Sequence, residues 1–213
     1  MIIRSGLIQN RPDVEPTGFA RHWREVHGPL ARKVPNLRGY VQNLVTRRVT
    51  SGESGLHLVD GISQLWFDDV DAMTAGTNSP EQRACIEDIS RFLSGVTLAI
   101  QKPGGWARGA LRKGFKLMAV FVGADAEAAG NHMAAIVGGA EDLVDYRVNP
   151  VAVRGVVVDE AVASSRVPIV AIAEAWFETD DVRNRVLDLL VRTSDASPVA
   201  AMAVTETVLM PVN

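Results

Sequence analysis

The stretch GISQLWFDD, residues 61–69, recurs in outline 110 residues later as AIAEAWFET, residues 171–179. Each copy is an alternating segment that ends in Trp-Phe followed by an acidic residue. A second pair, LRGYVQN at 37–43 and LVDYRVN at 143–149, shares Leu, Tyr and Asn at the same spacing. Two landmarks in the same order, with a small insertion between them, indicate an internal duplication.

Each half of the chain predicts the same order of elements, strand-helix-strand-strand-helix-strand. The first half predicts strands or β-rich runs at 2–9, 38–49, 61–67 and 95–101, with helices at 13–34 and 70–93. The second half predicts strands at 115–123, 146–158, 168–177 and 201–210, with helices at 125–138 and 180–193. This βαββαβ order is that of a ferredoxin-like unit. We therefore expect one repeat over 1–103, a Gly-rich basic linker over 104–114 and a second repeat over 115–213.

A ferredoxin-like unit covers one face of its sheet with helices, so the opposite face must be buried in another way. Strands 62–67 and 96–100 carry apolar groups on both faces. Two such sheets placed face to face would hide both uncovered faces. The expected fold class is therefore α+β, with two tandem ferredoxin-like repeats forming an α+β barrel, a pseudo-dimer within one chain.

The composition is that of an ordinary globular protein, with 47% hydrophobic and 22% charged residues among 213. A formal net charge of −3 gives no basic excess, so nucleic acid is not expected as a partner. The single Cys85 excludes an internal disulfide and fits a reducing compartment. No signal peptide and no apolar run long enough for a bilayer are evident, so we expect a cytosolic protein without a membrane partner.

The segment RHWREVHGPL, residues 21–30, places His27 at the edge of an apolar helical stripe. Gly28 and Pro29 follow it directly, and they are expected to end the regular helix at His27. Counting back from Tyr146 puts Met133 in the corresponding place of the second half, with His132 beside it. A residue that the fold requires should occur in both repeats. A histidine that occurs in only one repeat therefore favours a functional role. The alternative is a helix-end histidine that only binds local carbonyls.

Residues 19–43, FARHWREVHGPLARKVPNLRGYVQN, resemble the signature of the EthD family of dimeric α+β barrel proteins. The resemblance covers the first half to about residue 101, and the second half follows it only in strand pattern and a few residues. It implies a cleft between sheet and helices that takes small, often aromatic-derived molecules. Activities in the family include lactone methylisomerisation, polyketide decarboxylation or dehydration, and cyclisation, so the fold alone leaves the reaction open.

The resemblance also implies roles for individual residues. His27 would be the general acid and base, and Tyr40 would point into the same cleft. A methylisomerase-like member uses a second histidine after the tyrosine strand, a place that His57 fits, although His57 also suits a surface loop. Such a member also has a cysteine in the third strand. Cys85 instead lies in the second predicted helix, so thiol chemistry of that kind is not expected.

Further side chains are candidates for binding a substrate. A carboxylate would need a cation, and Arg48 and Arg4 are candidates, against the alternative of ordinary solvated arginines. Trp23, Trp66, Gln64 and Asn43 could line the cleft, although core packing is an equally simple role for both tryptophans. With four histidines, one cysteine and no cluster of them, no metal site is expected. No phosphate-binding loop is present either, so no cofactor is predicted.

Proton transfer between carbons needs one group that removes a proton and one that returns it. His27 and Tyr40 suit these roles. The expected function is a cofactor-independent isomerase, or a related lyase, acting on a small unsaturated organic acid or lactone from aromatic catabolism. A cofactor-free monooxygenase or cyclase on a polyketide-type substrate and a non-catalytic binder of haem or a hydrophobic ligand stay open. Association into a homodimer of the whole chain also stays open.

Overall fold

The computed structural model describes residues 1–50, 55–104, 113–123, 125–153, 162–191 and 198–212. The strands are β1 (Ile2–Asn10), β2 (Gly39–Thr50), β3 (Gly61–Phe67), β4 (Leu93–Gln101), β5 (Phe115–Val122), β6 (Leu143–Val153), β7 (Ile169–Phe177) and β8 (Ala200–Met210). The α-helices are α1 (Pro16–His22), α2 (Gly28–Ala31), α3 (Val70–Thr77), α4 (Pro80–Ile89), α5 (Ala126–Val137) and α6 (Asp180–Leu190). A π-helical turn, Trp23–His27, connects α1 to α2.

The eight strands close into a barrel in the order β1-β3-β2-β8-β5-β7-β6-β4. Within this order, β4-β1-β3-β2 and β8-β5-β7-β6 are two four-stranded antiparallel sheets of the ferredoxin-like type. One seam is long, since β2 pairs with β8 from Tyr40–Met210 to Thr50–Ala200. At the other seam, the described residues pair Ile100 with Val153 and Gln101 with Val151. The predicted α+β barrel of two tandem repeats is therefore confirmed.

The division into repeats stays a prediction in its details. Residues 105–112 of the expected linker lie outside the described residues, as does the end of the predicted strand 146–158 beyond Val153. None of the helices in the described segments combines the length and the apolarity needed to cross a membrane.

The helix does not end at His27, contrary to the expectation from Gly28-Pro29. The N–H of Gly28 binds the carbonyl of Trp23, five residues back, which widens this turn into a π-helix. Pro29 then lies in the first turn of α2, where a missing N–H costs no hydrogen bond. The extra residue in the turn thus lets the chain remain helical through a sequence that would break a regular α-helix.

The predicted helix 70–93 is two helices, each with its own N-terminal cap. The side chain of Asp69 accepts a hydrogen bond from the N–H of Ala72 and caps α3. Ser79 likewise accepts from the N–H of Gln82 and caps α4, with Pro80 directly after the cap. These capping residues, with proline at the first helical position, are the sequence signals that divide the predicted helix.

The interior of the barrel is built jointly by the two repeats. One apolar cluster combines residues of the first sheet with residues of the second, among them Leu7, Ile62, Ala99, Met118, Ile172 and Met202. Beside it lies a buried polar network centred on Lys116 and Glu174, whose Nζ and Oε2 atoms are 2.8 Å apart. Gln64 of the first repeat donates to Glu174 Oε1 at 3.1 Å, so the network connects the repeats across the barrel.

Charge on Lys116 keeps Glu174 ionised although burial acts against it. Burial raises the pKa of the Glu174 carboxyl, but Lys116 and Arg147 more than offset this, and the net pKa lies below its ordinary range. Because the native pKa of Glu174 lies below its unfolded value, ionised Glu174 stabilises the fold at pH values above the unfolded pKa. This stabilisation is lost as the pH falls through the native pKa.

Lys116→Met is expected to lower the free energy of unfolding by about 3–5 kcal/mol at pH 7, because it leaves Glu174 buried without its ammonium partner. Urea denaturation followed by circular dichroism measures this loss. The double variant Lys116→Met with Glu174→Gln should recover part of it, and Lys33→Met, at an exposed position, is the control. A loss below about 1 kcal/mol for Lys116→Met would contradict the importance of the pair.

Candidate active site

A cavity of about 50 Å³ lies between the outer face of the first sheet and the helices of the first repeat. Its walls combine polar groups from four different elements: Arg4 of β1, His27 of the π turn, Tyr40 of β2, and Gln82 and Cys85 of α4. The rest of the lining is largely apolar. The structure therefore brings together four residues predicted from the sequence, Arg4, Trp23, His27 and Tyr40, and adds Gln82 and Cys85 from α4.

His27 is held by a buried carboxylate. Its Nδ1 lies 3.1 Å from Oδ2 of Asp88, and Nε2 of His22 lies 3.0 Å from Oδ1 of the same carboxylate. Both rings also contact Phe92, with centroid separations of 4.8 Å for His22 and 5.3 Å for His27. His27 is half-buried, as expected, and its ring orientation is fixed from two sides.

The shared carboxylate determines which nitrogen of His27 is available for chemistry. Burial raises the pKa of Asp88, but the hydrogen bonds with His27 and His22 outweigh it, so the net pKa lies below the usual range. An ionised carboxylate only accepts hydrogen bonds, so Nδ1 of His27 is the donor in this contact. In the neutral ring, Nε2 then carries the lone pair, and no described residue binds it. This is the tautomer required of a general base.

Tyr40 is buried on the outer face of β2, with 1% of its surface exposed. Its hydroxyl oxygen accepts a hydrogen bond of 2.9 Å from Nε2 of Gln42. Burial raises the pKa of the phenol well above its ordinary value, although the hydrogen bonds from Gln42 and Trp23 act in the opposite direction. Tyr40 is therefore protonated at neutral pH and suited to donate a proton or a hydrogen bond. Trp23 lines the cavity, as predicted, and packs on Phe19 at 5.7 Å between ring centroids.

Arg4 is half-buried in the cavity wall, and no carboxylate of the described residues forms an ion pair with it. Burial lowers the pKa of Arg4 to about 10, which leaves the guanidinium charged at neutral pH. Arg4 pairs with Leu65 in the sheet, and Leu117 pairs with Ala175 at the equivalent place of the second repeat. Since leucine serves the fold in the second repeat, the cation in the first repeat is not required for folding.

The sequence did not single out as site residues Cys85 and Gln82, which line the cavity, or Asp88, which binds His27. All three lie on α4 at intervals of three residues, a spacing that puts them on one helix face and could have revealed them. Burial raises the pKa of the Cys85 thiol to about 11, against the influence of Arg4, so the thiol is protonated at neutral pH. Gln82 is 7% exposed, and its side-chain amide makes no hydrogen bond to any described residue.

Three predicted binding residues lie inside the barrel, on the other side of the sheet from the cavity. Asn43 donates to Gln64 Oε1 at 3.0 Å, and Trp66 packs in a small interior cluster. Successive side chains of a strand alternate between its faces. Ser63 and Leu65 line the cavity, so Gln64 and Trp66 face away from it. Asn43 lies an odd number of residues from Tyr40, which lines the cavity, so Asn43 also faces away from it.

Arg48 lies an even number of residues after Tyr40 and would share its face in a regular strand, but the structure places it on the opposite face. Between Val45 and Arg47, β2 contains one more residue than β8, which is a β-bulge. The extra residue reverses the alternation beyond it. Arg48 therefore lies away from the cavity, where its Nη2 is 2.5 Å from Oδ1 of Asp60.

His57 lies with Arg48 in a different cavity, of about 390 Å³, next to residues of β8. Its Nδ1 is 2.8 Å from the carbonyl of Leu58, and its main-chain N–H donates to Ser165 Oγ. Burial lowers the pKa of the His57 imidazole, so the ring is neutral at pH 7. The structure thus does not bring His57 together with His27.

The corresponding space in the second repeat is filled by an apolar cluster that includes Leu117, Met133 and Leu187. His132 is 8% exposed, and its Nε2 is 3.0 Å from the carbonyl of Leu190 at the end of α6. It therefore connects α5 to α6. Across the described segments, no three His, Cys, Asp or Glu side chains are grouped so that they could hold a metal ion.

Residues 11–95 match the family model of the EthD domain. Together with the two-repeat α+β barrel and a polar cavity under the helices of the first repeat, this match confirms the resemblance seen in residues 19–43. Most of the first repeat is thus similar to the EthD domain. An EthD family protein from Bacillus halodurans, of known structure, aligns with 48% of this chain and 99% of its own, at 21% identity and a TM-score of 0.37.

Two solved structures share the fold over nearly the whole chain. An anthrone oxidase-like protein aligns with 98% of this chain and 92% of its own, at 7% identity and a TM-score of 0.57. A candidate monooxygenase from Fusobacterium nucleatum aligns with 100% of this chain and 94% of its own, at 12% identity and a TM-score of 0.55. At these identities the likeness establishes the fold only. No curated protein matches the sequence.

Asp88→Asn is expected to lower the free energy of unfolding at pH 7 by about 1–3 kcal/mol, because the charged acceptor for both histidines is lost. The native pKa of Asp88 lies below its unfolded value. Its contribution is therefore present above about pH 4 and disappears as the pH falls further.

Urea denaturation at pH 7 and at pH 3 measures the difference between the wild type and Asp88→Asn. The difference between the two proteins should be smaller at pH 3 than at pH 7. Glu87→Gln, on the exposed side of the same helix, is the control and should follow the wild type. A difference that is equally large at both pH values would show that the carboxylate charge is not what stabilises this cluster.

Proposed function

We propose that the chain is an enzyme of acid–base chemistry, a cofactor-independent isomerase or related lyase whose substrate is a small unsaturated organic acid or lactone. The observation that carries the proposal is one cavity that contains a histidine held by a carboxylate, a protonated tyrosine and a guanidinium without an acidic partner among the described residues. These three groups supply a base, an acid and an anion-binding site. The aromatic-catabolic origin of the substrate belongs to this proposal and rests on the EthD resemblance.

The chemistry begins with proton removal from a carbon next to a carboxylate or lactone carbonyl. Nε2 of His27 takes the proton, and the C–H electron pair moves into the carbonyl to form an enolate. Asp88 stabilises the imidazolium that results, and the Tyr40 hydroxyl donates a hydrogen bond to the enolate oxygen. Return of the proton from His27 to a different carbon moves the double bond. Expulsion of a leaving group from the same enolate would be the lyase outcome.

Arg4 and Gln82 are suited to hold the substrate. A guanidinium binds a carboxylate through two parallel N–H donors, and the buried amide of Gln82 offers further donors in the same cavity. The cavity volume of about 50 Å³ is well below the ~300 Å³ at which sites for drug-sized molecules begin. This size favours a small acid over a polycyclic polyketide. All of the described walls come from the first repeat, so a second copy of the chain is not needed to complete them.

Oxidation by O₂ is the second candidate function. The solved structures that share the whole fold are described as an anthrone oxidase-like protein and a candidate monooxygenase. The same proton removal by His27 would form the carbanion, which O₂ would then oxidise. Oxygen consumption distinguishes this reaction from isomerisation, and binding of haem or another ligand without turnover would support the non-catalytic alternative.

His27→Gln is expected to lower turnover by about 10²–10⁴-fold, the usual contribution of a general base. The matched control is His22→Gln, which removes the other histidine on Asp88 without removing a residue that lines the cavity. Its loss should be much smaller. Purified protein is added to ring-fission dienoic acids and muconolactones, with and without oxygen, while ultraviolet absorbance is followed. Equal losses in both variants, or full activity of His27→Gln, would refute His27 as the base.

Arg4→Leu introduces the residue that the second repeat has at the equivalent position, so folding should be retained. We expect KM for a carboxylate substrate to rise at least about tenfold, since the charged hydrogen bonds to the anion, worth about 1.5–3 kcal/mol, are lost. The methyl ester of the same substrate should lose much less. Steady-state kinetics on both compounds measures the difference. An unchanged KM for the acid would show that Arg4 does not bind the carboxylate.

A further inference from the structure

We propose that Gln42 is a positioning residue that fixes the direction of the Tyr40 proton, an inference that rests on the proposed acid–base function and deepens it. Nε2 of Gln42 donates to the main-chain carbonyl of Trp23 at 2.8 Å and to the hydroxyl oxygen of Tyr40 at 2.9 Å. The amide is 3% exposed. A single buried group thus touches both the turn that carries the base and the phenol that serves as the acid.

The contact with Trp23 determines how the amide is oriented. A main-chain carbonyl can only accept a hydrogen bond, so the amide atom that faces it must be the NH₂ nitrogen and not the oxygen. The second N–H of the same nitrogen is then directed at Tyr40. The tyrosine oxygen is therefore an acceptor in this contact, and its own hydrogen is not used in it.

The Tyr40 hydrogen is consequently free to bind a molecule in the cavity. No described residue accepts it, and Tyr40 is part of the cavity wall. Hydrogen bonds to the oxygen also favour the ionised phenol, as the influence of Gln42 on the pKa of Tyr40 shows. Gln42 thus both aims the proton at the position of an enolate oxygen and makes its donation easier.

The π turn supplies the main-chain carbonyl that positions the side chain of Gln42. The carbonyl of Trp23 accepts from the N–H of Gly28 as well as from Gln42, which its two lone pairs permit. A Cβ at Gly28 would lie 3.4 Å from Nε2 of Gln42 and 2.6 Å from a methyl group of Leu209. The glycine after His27 therefore leaves room for Leu209 of β8 and for the Gln42 amide of β2.

The second repeat shows that this arrangement is not a requirement of the fold. Tyr40 recurs as Tyr146, but the residue two positions later is Val148 instead of glutamine. Val148 packs against an apolar cluster and cannot donate a hydrogen bond. The amide is thus present only in the repeat that has His27 and Arg4, as expected if Gln42 serves the reaction and not the fold.

Raman spectroscopy tests the proton direction without any substrate. A tyrosine hydroxyl can both donate and accept hydrogen bonds, and the intensity ratio of its Raman doublet differs between the two cases. The chain has two tyrosines, so a Tyr146→Phe background reports Tyr40 alone. With Gln42 present, we expect the Raman pattern of a Tyr40 hydroxyl that accepts a hydrogen bond. With Gln42→Glu we expect the pattern of a hydroxyl that donates, because a carboxylate can only accept. A donor pattern in the wild-type background, or no change in Gln42→Glu, would overturn the proposal.

Kinetics provides the functional half of the test. Gln42→Glu should lower kcat by about the same factor as Tyr40→Phe, on the order of 10²-fold, with KM changed much less. The double variant should be no slower than either single variant, because both remove the same donated proton. Gln9→Glu, outside the cavity on β1, is the control. Additive losses would show that Gln42 acts only through structure.

The two measurements separate this proposal from the proposed function. A Raman shift without measurable turnover on any compound would refute the acid–base function and leave the proton direction established. Turnover that depends on His27 but not on Gln42, with an unchanged Raman pattern, would refute the role of Gln42 and leave the function intact.

Discussion

The uncovered face of a ferredoxin-like sheet is the constraint on which the rest of this structure depends. Helices cover only one face of each four-stranded sheet, and the opposite face must be removed from water by something else. Here the second repeat does this within the same chain, and pairing of β2 with β8 and of β4 with β6 closes the barrel. The buried pair Lys116–Glu174, bonded across the interior to Gln64, adds a polar connection between the halves.

Because the barrel is closed, the two faces of the first sheet lie in different environments. The inner face is committed to packing and to the polar network, and the outer face is free to carry a site beneath its helices. The second repeat has the same geometry but fills the equivalent space with apolar residues such as Leu117 and Met133. One repeat can therefore lose its polar cavity and serve as scaffold, while the other keeps Arg4 and His27.

The polar groups of the cavity support one another through shared partners. Asp88 binds two histidines at once, and Gln42 binds both the turn before His27 and the hydroxyl of Tyr40. Asp88 and Gln42 are both buried, where a hydrogen bond has little competition from water and a missing partner is costly. This arrangement keeps a base and an acid in fixed orientations on neighbouring elements, as proton transfer between carbons requires.

The sequence by itself determined the duplication and the α+β barrel, because these follow from repeated segments and strand alternation. The family signature made His27 and Tyr40 candidates for one cleft, with Arg4 as a candidate for binding a carboxylate. Only the tertiary structure decided the rest. One extra residue in β2 places Arg48 on the opposite face of the sheet from Tyr40. His57 lines a different cavity from His27. Asp88, Gln82 and Cys85 reach the site because α4 packs against α2 and the π turn. The spacing within α4 puts these three residues on one helix face, but what that face packs against depends on segments far apart in the chain, and no local pattern predicts it.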